Sequence, residues 1–310
     1  VNGRSADEAA IGEARPAAIG EARPAAIGEA RPAAIGEARP AAIGEARPAA
    51  IGEARPAAAR PDLLADRLPY RIVRPYRVRF EEATASESMR TATYLAWAAD
   101  IAWQHSTELG FGREWYAERG LFWLVRAIQL DVLRPIPTYA GMLVSTQVLG
   151  YRRVAARRES DVRDPSGELA ARLLIDWVMT NERGIPTRVP ADFLKFVATE
   201  TPAIEMHKVA LPAAPPDAFE RRFHVRRRDL DPLDHVNNSV YVDYLEEALE
   251  GAGQGELLRA TPRRYALDFA ASAARGESLT GRAWPQDGGW AYRLSREDGT
   301  EVLRARVCRP

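Results

Sequence analysis

Past residue 67 the chain runs through one order of hydrophobic patterns twice, and this repetition constrains its fold more than any other feature. Arg71 to Glu81 alternates as a strand does. A helical stretch covers about Ala92 to Leu109, where Ala98, Ile101, Ala102 and Leu109 share a face and Trp97 and Trp103 add bulk. Four strand-like stretches follow: Phe122 to Leu133, Met142 to Tyr151, Val154 to Arg163 and Leu169 to Asn181. Asp164-Pro165-Ser166-Gly167 supplies the last turn among them. A proline-rich stretch then leads to the second copy. Phe219 to Arg228 reads as a strand, and Val240 to Leu249 as a helix with Tyr241, Tyr244, Leu245, Ala248 and Leu249 at helical spacing. Arg264 to Ala271, Ser278 to Trp284, Trp290 to Leu294 and Glu301 to Val307 complete it. A helix set early against an antiparallel meander is a stable two-layer solution. The pattern therefore predicts an α+β chain of two like domains, residues 68–200 and 219–310, joined by a proline-rich linker over 201–218.

Residues 1–67 do not join this scheme. They hold six copies of the octapeptide AIGEARPA, with isoleucine at Ile11, Ile19, Ile27, Ile35, Ile43 and Ile51. A proline every eight residues stops any helix from lengthening, and one small aliphatic per copy cannot build a core. A disordered tail is expected. A short docking segment and an over-extended reading frame are the other readings, and none gives the tail a catalytic role.

Charge and cysteine content narrow the function. The 43 Lys and Arg are matched by 43 Asp and Glu, interspersed almost throughout, which argues against nucleic acid as a partner. No apolar run approaches the ~18 residues of a membrane span. The amino terminus lacks the basic-then-apolar order of a secretory signal, so the expected location is cytoplasmic. One cysteine, Cys308, excludes an internal disulfide framework and a cysteine-based zinc cluster.

The informative segment is Asp229 to Glu247, reading DLDPLDHVNNSVYVDYLEE. Asp229, Asp231, Asp234 and His235 lie in a loop just before an amphipathic helix. Asn237, Asn238 or Ser239 is placed to cap that helix, and free amides at its start are able to hold developing negative charge. A carboxylate there can activate water, and a histidine can position it or protonate a leaving group. The same residues also read as ordinary turn and cap residues. One histidine among loop acids is too little for a metal site, and none is expected.

Asp231 through Tyr241, with His235-Val236-Asn237-Asn238, resembles the active-site loop and helix start of hotdog-fold thioesterases. Over residues 70–310 the chain resembles the acyl-ACP thioesterase family of bacteria and plants. His105, Gly110-Phe111-Gly112, Gly120 to Val125, Trp177 to Asn181 and Arg188 to Pro190 support this. The resemblance implies tandem hotdog domains, each an antiparallel sheet wrapped round a long helix. It implies hydrolysis of fatty acyl thioesters of acyl carrier protein or CoA to free acid, without cofactor or metal. By it, Asp231 is the catalytic carboxylate and His235 the catalytic histidine. The thioester carbonyl is expected to point at amides near Asn238 and Ser239, with Asn237 and Glu247 also among the expected substrate-binding residues. The first domain is expected to be non-catalytic: aligning Tyr94 with Tyr241 sets Thr84 against Asp231 and Ser88 against His235.

The chain departs from the plant pattern at three places. Leu233 stands where those enzymes have asparagine, and Ser272 and Ala273 stand where they have glutamate and cysteine. Asp268 is the nearest carboxylate on that strand, and Glu246 or Glu247 on the helix is a candidate substitute, Glu247 sharing a face with Val240 and Tyr244. Trp123 and Trp177 read either as lining an acyl tunnel or as plain core. Two further readings follow from the departures: a protein that binds acyl thioesters without efficient hydrolysis, and one that releases polyketide or transfers acyl chains. Arg226, Arg227 and Arg228 are candidates to meet CoA phosphates or an acidic carrier protein. The halves are expected to pair with each other, and a homodimer of such pairs stays open.

Overall fold

A computed structural model of the chain describes residues 65–195 and 205–310. The tail expected over 1–67 lies outside them apart from residues 65–67, as does the start of the linker, 201–204. The first half contains β1 (Arg71–Arg77), α1 (Thr91–Glu108), α2 (Arg113–Arg119), β2 (Leu121–Val132), β3 (Gly141–Arg152), β4 (Ala155–Arg163), β5 (Leu169–Asn181) and the short α3 (Ala191–Leu194). The second contains β6 (Phe219–His224), α4 (Asn238–Gly251), α5 (Gly255–Arg259), β7 (Arg263–Phe269), β8 (Ser278–Gln286), β9 (Gly289–Arg296) and β10 (Glu301–Cys308).

Both leading strands end sooner than their alternation suggests, for the same reason. A one-turn 3-10 helix follows each, at Phe80–Glu82 and Arg227–Asp229. In each an acid folds back on the entering chain: Glu82 accepts from the Arg79 N–H at 2.8 Å, and Asp229 from the Arg226 N–H at 2.7 Å. These local bonds compete with continued strand.

All strand pairs are antiparallel and form one sheet, ordered β1-β3-β4-β5-β2-β7-β10-β9-β8-β6. The halves meet where β2 pairs with β7, with Ile128 opposite Leu267 and Leu130 opposite Tyr265. The next positions face the other side of the sheet and carry charge across the seam. Arg264 Nη2 donates to Asp131 Oδ2 at 3.0 Å, and Arg126 pairs with the buried Asp268.

On one face, Tyr94, Leu95, Ala98 and Ile101 of α1 and Tyr241, Leu245, Ala248 and Leu249 of α4 close over Ile128, Leu130, Tyr265 and Leu267 in one apolar core. Each large side chain so buried contributes about 1.5–3 kcal/mol. A second apolar cluster joins Phe111, Tyr116, Met179, Val189 and Phe193 beyond the end of α1. The opposite face carries the chain between the halves. There Asp176, fully buried, accepts from Arg157 Nε at 2.6 Å and from the His207 N–H at 2.7 Å, and Arg293 donates to the Pro212 carbonyl at 3.2 Å. No helix among the described residues is long and apolar enough to cross a membrane.

Candidate active site

The segment from Leu230 to Asn237 is a tight loop whose mouth is closed by a bridge between Leu230 and Val236. The Asp231 N–H donates to the His235 carbonyl at 2.8 Å, and the Asp234 N–H to the Asp231 carbonyl at 3.0 Å. Asp234 sits at φ +60°, a left-handed conformation that a short polar side chain tolerates better than most. Asn237 caps α4, its Oδ1 accepting from Ser239 N–H at 3.0 Å and Ser239 Oγ–H at 2.8 Å. The loop is tied to the connection between β7 and β8 through Ala273, whose carbonyl accepts from the Val236 N–H at 3.1 Å and whose N–H donates to Tyr241 Oη at 2.9 Å. Beneath it Asp229 is buried and also accepts from Tyr244 Oη–H at 2.9 Å. Asp229 is thus a structural acid, and Asp234 pairs with Arg275 at 3.3 Å.

Asp231 and His235 come together on this loop. Asp231 is partly exposed, and its Oδ1 accepts from the Leu233 N–H at 2.9 Å and the His235 N–H at 3.2 Å. Its Oδ2 has no hydrogen-bond partner among the described residues. The His235 side chain is exposed and likewise has none. Asn238 begins α4, and its N–H is also unpartnered there. The loop therefore carries an oriented carboxylate with one oxygen unpartnered among the described residues and an exposed imidazole, and it leads directly into a helix-start amide. That combination can deliver water, hold an oxyanion and protonate a leaving group.

Other predicted residues lie elsewhere or are already engaged. The cap consumes the Ser239 amide and hydroxyl, leaving Asn238 as the amide donor. Glu247 is exposed and pairs with Arg221 at 2.6 Å, away from the loop. Glu246 accepts from Tyr265 Oη–H at 2.6 Å. Asp268 is turned to the opposite face of the sheet, committed to Arg126. Leu233 is 45% exposed and contributes only its amide. Ser272 is exposed, with its carbonyl bonded by Arg296, and Ala273 is buried. Trp123 joins the second apolar cluster, its Nε1–H donating to Tyr116 Oη at 3.1 Å. Trp177 packs against the main core. A cavity of about 450 Å³ is lined by Phe219, Gly251, Trp284 and Trp290, at the far end of α4 from the loop. Among the described residues no three His, Cys, Asp or Glu side chains are grouped to hold a metal ion.

Sequence reasoning missed the tyrosine that braces the site. Burial pushes the Tyr241 hydroxyl up to about 12, so it stays protonated, and it anchors the loop through Ala273. Its helical spacing marks it as core. Its hydroxyl partner lies in the connection between β7 and β8, far along the chain, which local pattern does not show.

The first half repeats the backbone bonds of this loop. The Thr84 N–H donates to the Ser88 carbonyl at 2.8 Å, the Glu87 N–H to the Thr84 carbonyl at 3.0 Å, and the Arg90 N–H to the Glu82 carbonyl at 2.8 Å. Glu87 has φ +56°, and Trp97 Nε1–H reaches Glu82 Oε1 at 3.3 Å where Tyr244 reaches Asp229. The ungapped pairing of Thr84 with Asp231 and Ser88 with His235 is therefore the structural one. Thr84 Oγ1 and Ser88 Oγ lie 3.1 Å apart, so these two positions project side by side. Arg90 occupies the cap position of α1 and makes no side-chain cap bond.

Comparison with known proteins places both halves. The model of the acyl-ACP thioesterase N-terminal domain matches residues 69–197, and that of the acyl-ACP thioesterase C-terminal domain matches residues 213–307. A chloroplastic palmitoyl-acyl carrier protein thioesterase of Cuphea hookeriana is 27% identical, over 80% of this chain and 66% of its own length. A chloroplastic acyl-[acyl-carrier-protein] hydrolase of Cuphea viscosissima is 30% identical, over 64% of this chain and 51% of its own. The matches thus span about half to two thirds of these relatives. Among solved structures, an acyl-ACP thioesterase from Bacteroides thetaiotaomicron superposes with a TM-score of 0.66 at 16% identity, covering 77% of this chain and 97% of the other. The 12:0-ACP thioesterase from Umbellularia californica gives 0.63 at 21%, covering 77% and 96%. These two share the tandem hotdog fold.

Proposed function

This chain belongs to the acyl-ACP thioesterase family, and from that premise we propose that it hydrolyses acyl thioesters carried on acyl carrier protein or CoA, with Asp231 and His235 as its catalytic pair. The observation that carries the reading is the asymmetry of the two loops. Their backbones are the same, and only the α4 loop combines a carboxylate, an imidazole and a free helix-start amide.

In this mechanism the thioester carbonyl oxygen accepts from the Asn238 N–H, with Asn237 holding the helix start in place. Asp231 Oδ2 takes a proton from water as the water oxygen attacks the carbonyl carbon. The tetrahedral oxyanion is stabilised by the amide. The C–S bond then breaks, and the departing sulfur takes a proton delivered through His235, giving free acid and thiol. The exposed Arg226, Arg227 and Arg228 stand just before the loop and favour an acidic carrier or the phosphates of CoA. A cytoplasmic location belongs to this reading.

The test is thiol release from acyl-ACP and acyl-CoA of C8 to C18 chains by the purified chain. Turnover abolished by Asp231→Asn supports the proposal. Saturable binding with no thiol released sinks it in favour of a binding protein, a reading motivated by Leu233 and Ser272 at the departing positions. A lactone or a transferred acyl group in place of free acid sinks it in favour of chain release or transfer.

A further inference from the structure

The proposed chemistry needs the α4 loop held still, and bonds from outside the loop hold it. Both bonds that tie it to the connection between β7 and β8 pass through Ala273, whose carbonyl accepts from the Val236 N–H and whose N–H donates to Tyr241 Oη. The placement of Asp231 and His235 therefore depends on where this one residue stands. The methyl group of Ala273 makes no polar contact, so its chain neighbours must fix it.

One ion pair clamps those neighbours on both sides. Arg296 ends β9, and its backbone N–H donates to the Thr300 carbonyl at 2.9 Å, so its side chain starts from a fixed point in the sheet. Its Nη2 donates to the Ser272 carbonyl, and its Nε lies 3.1 Å from Glu277 Oε2. The same Glu277 oxygen accepts from the Ala274 N–H at 3.1 Å. Arg296 thus holds the residue before Ala273, and Glu277 the residue after it. The Glu277 carbonyl also accepts from the Val225 N–H at 2.9 Å, where the chain approaches the α4 loop. Arg296, Glu277 and Asp231 are all charges felt by the Tyr241 hydroxyl, which gathers the ion pair and the proposed base around one phenol.

The first half reaches the same loop shape by other means. Ile136 takes the place of Ala273 there, its carbonyl accepting from the Met89 N–H at 2.8 Å. Pro135 and Pro137 flank it, and each ring fixes its own φ. Arg134 ties the start of that connection to Asp164 at 2.7 Å, two residues before Ile136. A proline ring is covalent and permanent. An ion pair whose side chains are 28% and 32% exposed adds little stability. The polar side-chain contacts of Arg296 among the described residues, Ser272 and Glu277, both lie in the segment that holds the loop.

We propose that Arg296, together with Glu277, is a positioning residue for the thioester hydrolysis assigned to the α4 loop, acting through residues 272–274. This rests on that hydrolytic reading and deepens it by naming a group that sets the loop in place without touching the substrate. Loss of the clamp frees Ala273 to move and the loop carboxylate with it, and a shift of about 1 Å at reacting groups costs as much as 10²-fold in rate. The loss falls on kcat, because a contact made equally with ground state and transition state would change KM instead.

The experiment follows thiol release from acyl-ACP and acyl-CoA by the full chain and by its Arg296→Ala, Arg296→Lys and Glu277→Gln variants, with a melting temperature for each. Arg296→Ala is expected to lower kcat by about 10- to 100-fold while KM changes by less than about twofold. Added guanidinium, kept below denaturing concentration, should raise kcat of this variant and leave the wild type unchanged. Arg296→Lys keeps a cation beside Glu277, and Glu277→Gln keeps an acceptor for the Ala274 N–H, so each should lose less than Arg296→Ala. Where the alanine variant does not fold, Arg296→Lys carries the same comparison. A lowered melting temperature with kcat per folded molecule unmoved overturns the proposal, and so does a loss of kcat that neither lysine nor guanidinium restores. If the wild type hydrolyses no thioester, the hydrolytic reading fails and amide hydrogen exchange decides the clamp. Faster exchange at Asp231 and Asp234 in Arg296→Ala, with Thr84 and Glu87 of the first loop unchanged, upholds it. No difference between the two loops overturns it.

Discussion

The loop before α1 and the loop before α4 have the same backbone and opposite chemical content. Both enter through a one-turn 3-10 helix closed by an acid, both turn through a left-handed acidic residue, and both are bridged at the mouth. Thr84 and Ser88 fill one with hydroxyls that bond each other. Asp231 and His235 fill the other and leave an oxygen and a ring without hydrogen-bond partners among the described residues. The loop shape is therefore common to both halves, and the side chains set on it differ. Mutations that act on shape should cost similar stability in both halves, while mutations that act on chemistry should matter in one.

The largest expected effect breaks the comparison on the chemical side. Asp231→Asn keeps an oxygen for the Leu233 and His235 amides but loses the base, and kcat/KM for thioester hydrolysis should fall by about 10²–10⁴-fold. Thermal unfolding of the variant should stay near the wild type, and a collapse in melting temperature would return Asp231 to a purely structural role. Next come the two closing acids. Asp229→Ala removes a cap and strands the buried Tyr244 hydroxyl, for a cost of about 2–3 kcal/mol in urea denaturation. Glu82→Ala loses a weaker 3.3 Å contact and should cost about 1 kcal/mol. Equal costs would show that the halves rest on these acids alike.

Tyr241→Phe leaves the Ala273 amide unpaired and should cost about 1–2 kcal/mol, whereas Tyr94→Phe, at the matching position without a hydrogen bond among the described residues, should stay within about 0.5 kcal/mol. Asp243 on α4 sharpens the contrast through pH. Burial, helped by Glu246, pushes its carboxyl up to about 6 from an ordinary 3.8. The folded state thus holds its proton more tightly than the unfolded one, so stability is favoured at low pH and declines as pH rises from about 4 to 6. Asp243→Asn should remove that decline and stabilise the protein by about 1 kcal/mol at pH 8 after screening by water, read as melting temperature against pH. The smallest effect is the graft. Thr84→Asp with Ser88→His in the Asp231→Asn background should fold normally and release no thiol, because Arg90 rather than asparagine heads α1. Restored turnover would show that loop content alone makes a site.

The strand and helix order was legible because each half alternates and then switches to helical spacing at fixed places. That one of Asn237, Asn238 and Ser239 caps α4 was legible from residue type, while the choice of Asn237 came from the structure. The register of Thr84 with Asp231 was legible from two tyrosines on matching helices. What local pattern could not show were partners distant in sequence. Glu247 is drawn to Arg221 on β6, Asp268 is claimed by Arg126 across the seam, and Ser239 spends its donors on the cap beside it. The short α2 was missed because its seven residues fall below the length at which helical spacing is recognisable.

The seam between β2 and β7 has a consequence of its own. Were two identical chains to meet along this line, every substitution would arrive in duplicate, and neither copy of the loop could shed a group without the other losing it too. With both halves in a single polypeptide, each is free to drift alone: one loop holds a carboxylate and an imidazole at Asp231 and His235, while its twin holds hydroxyls at Thr84 and Ser88. Selection can then act on the two loops as separate traits.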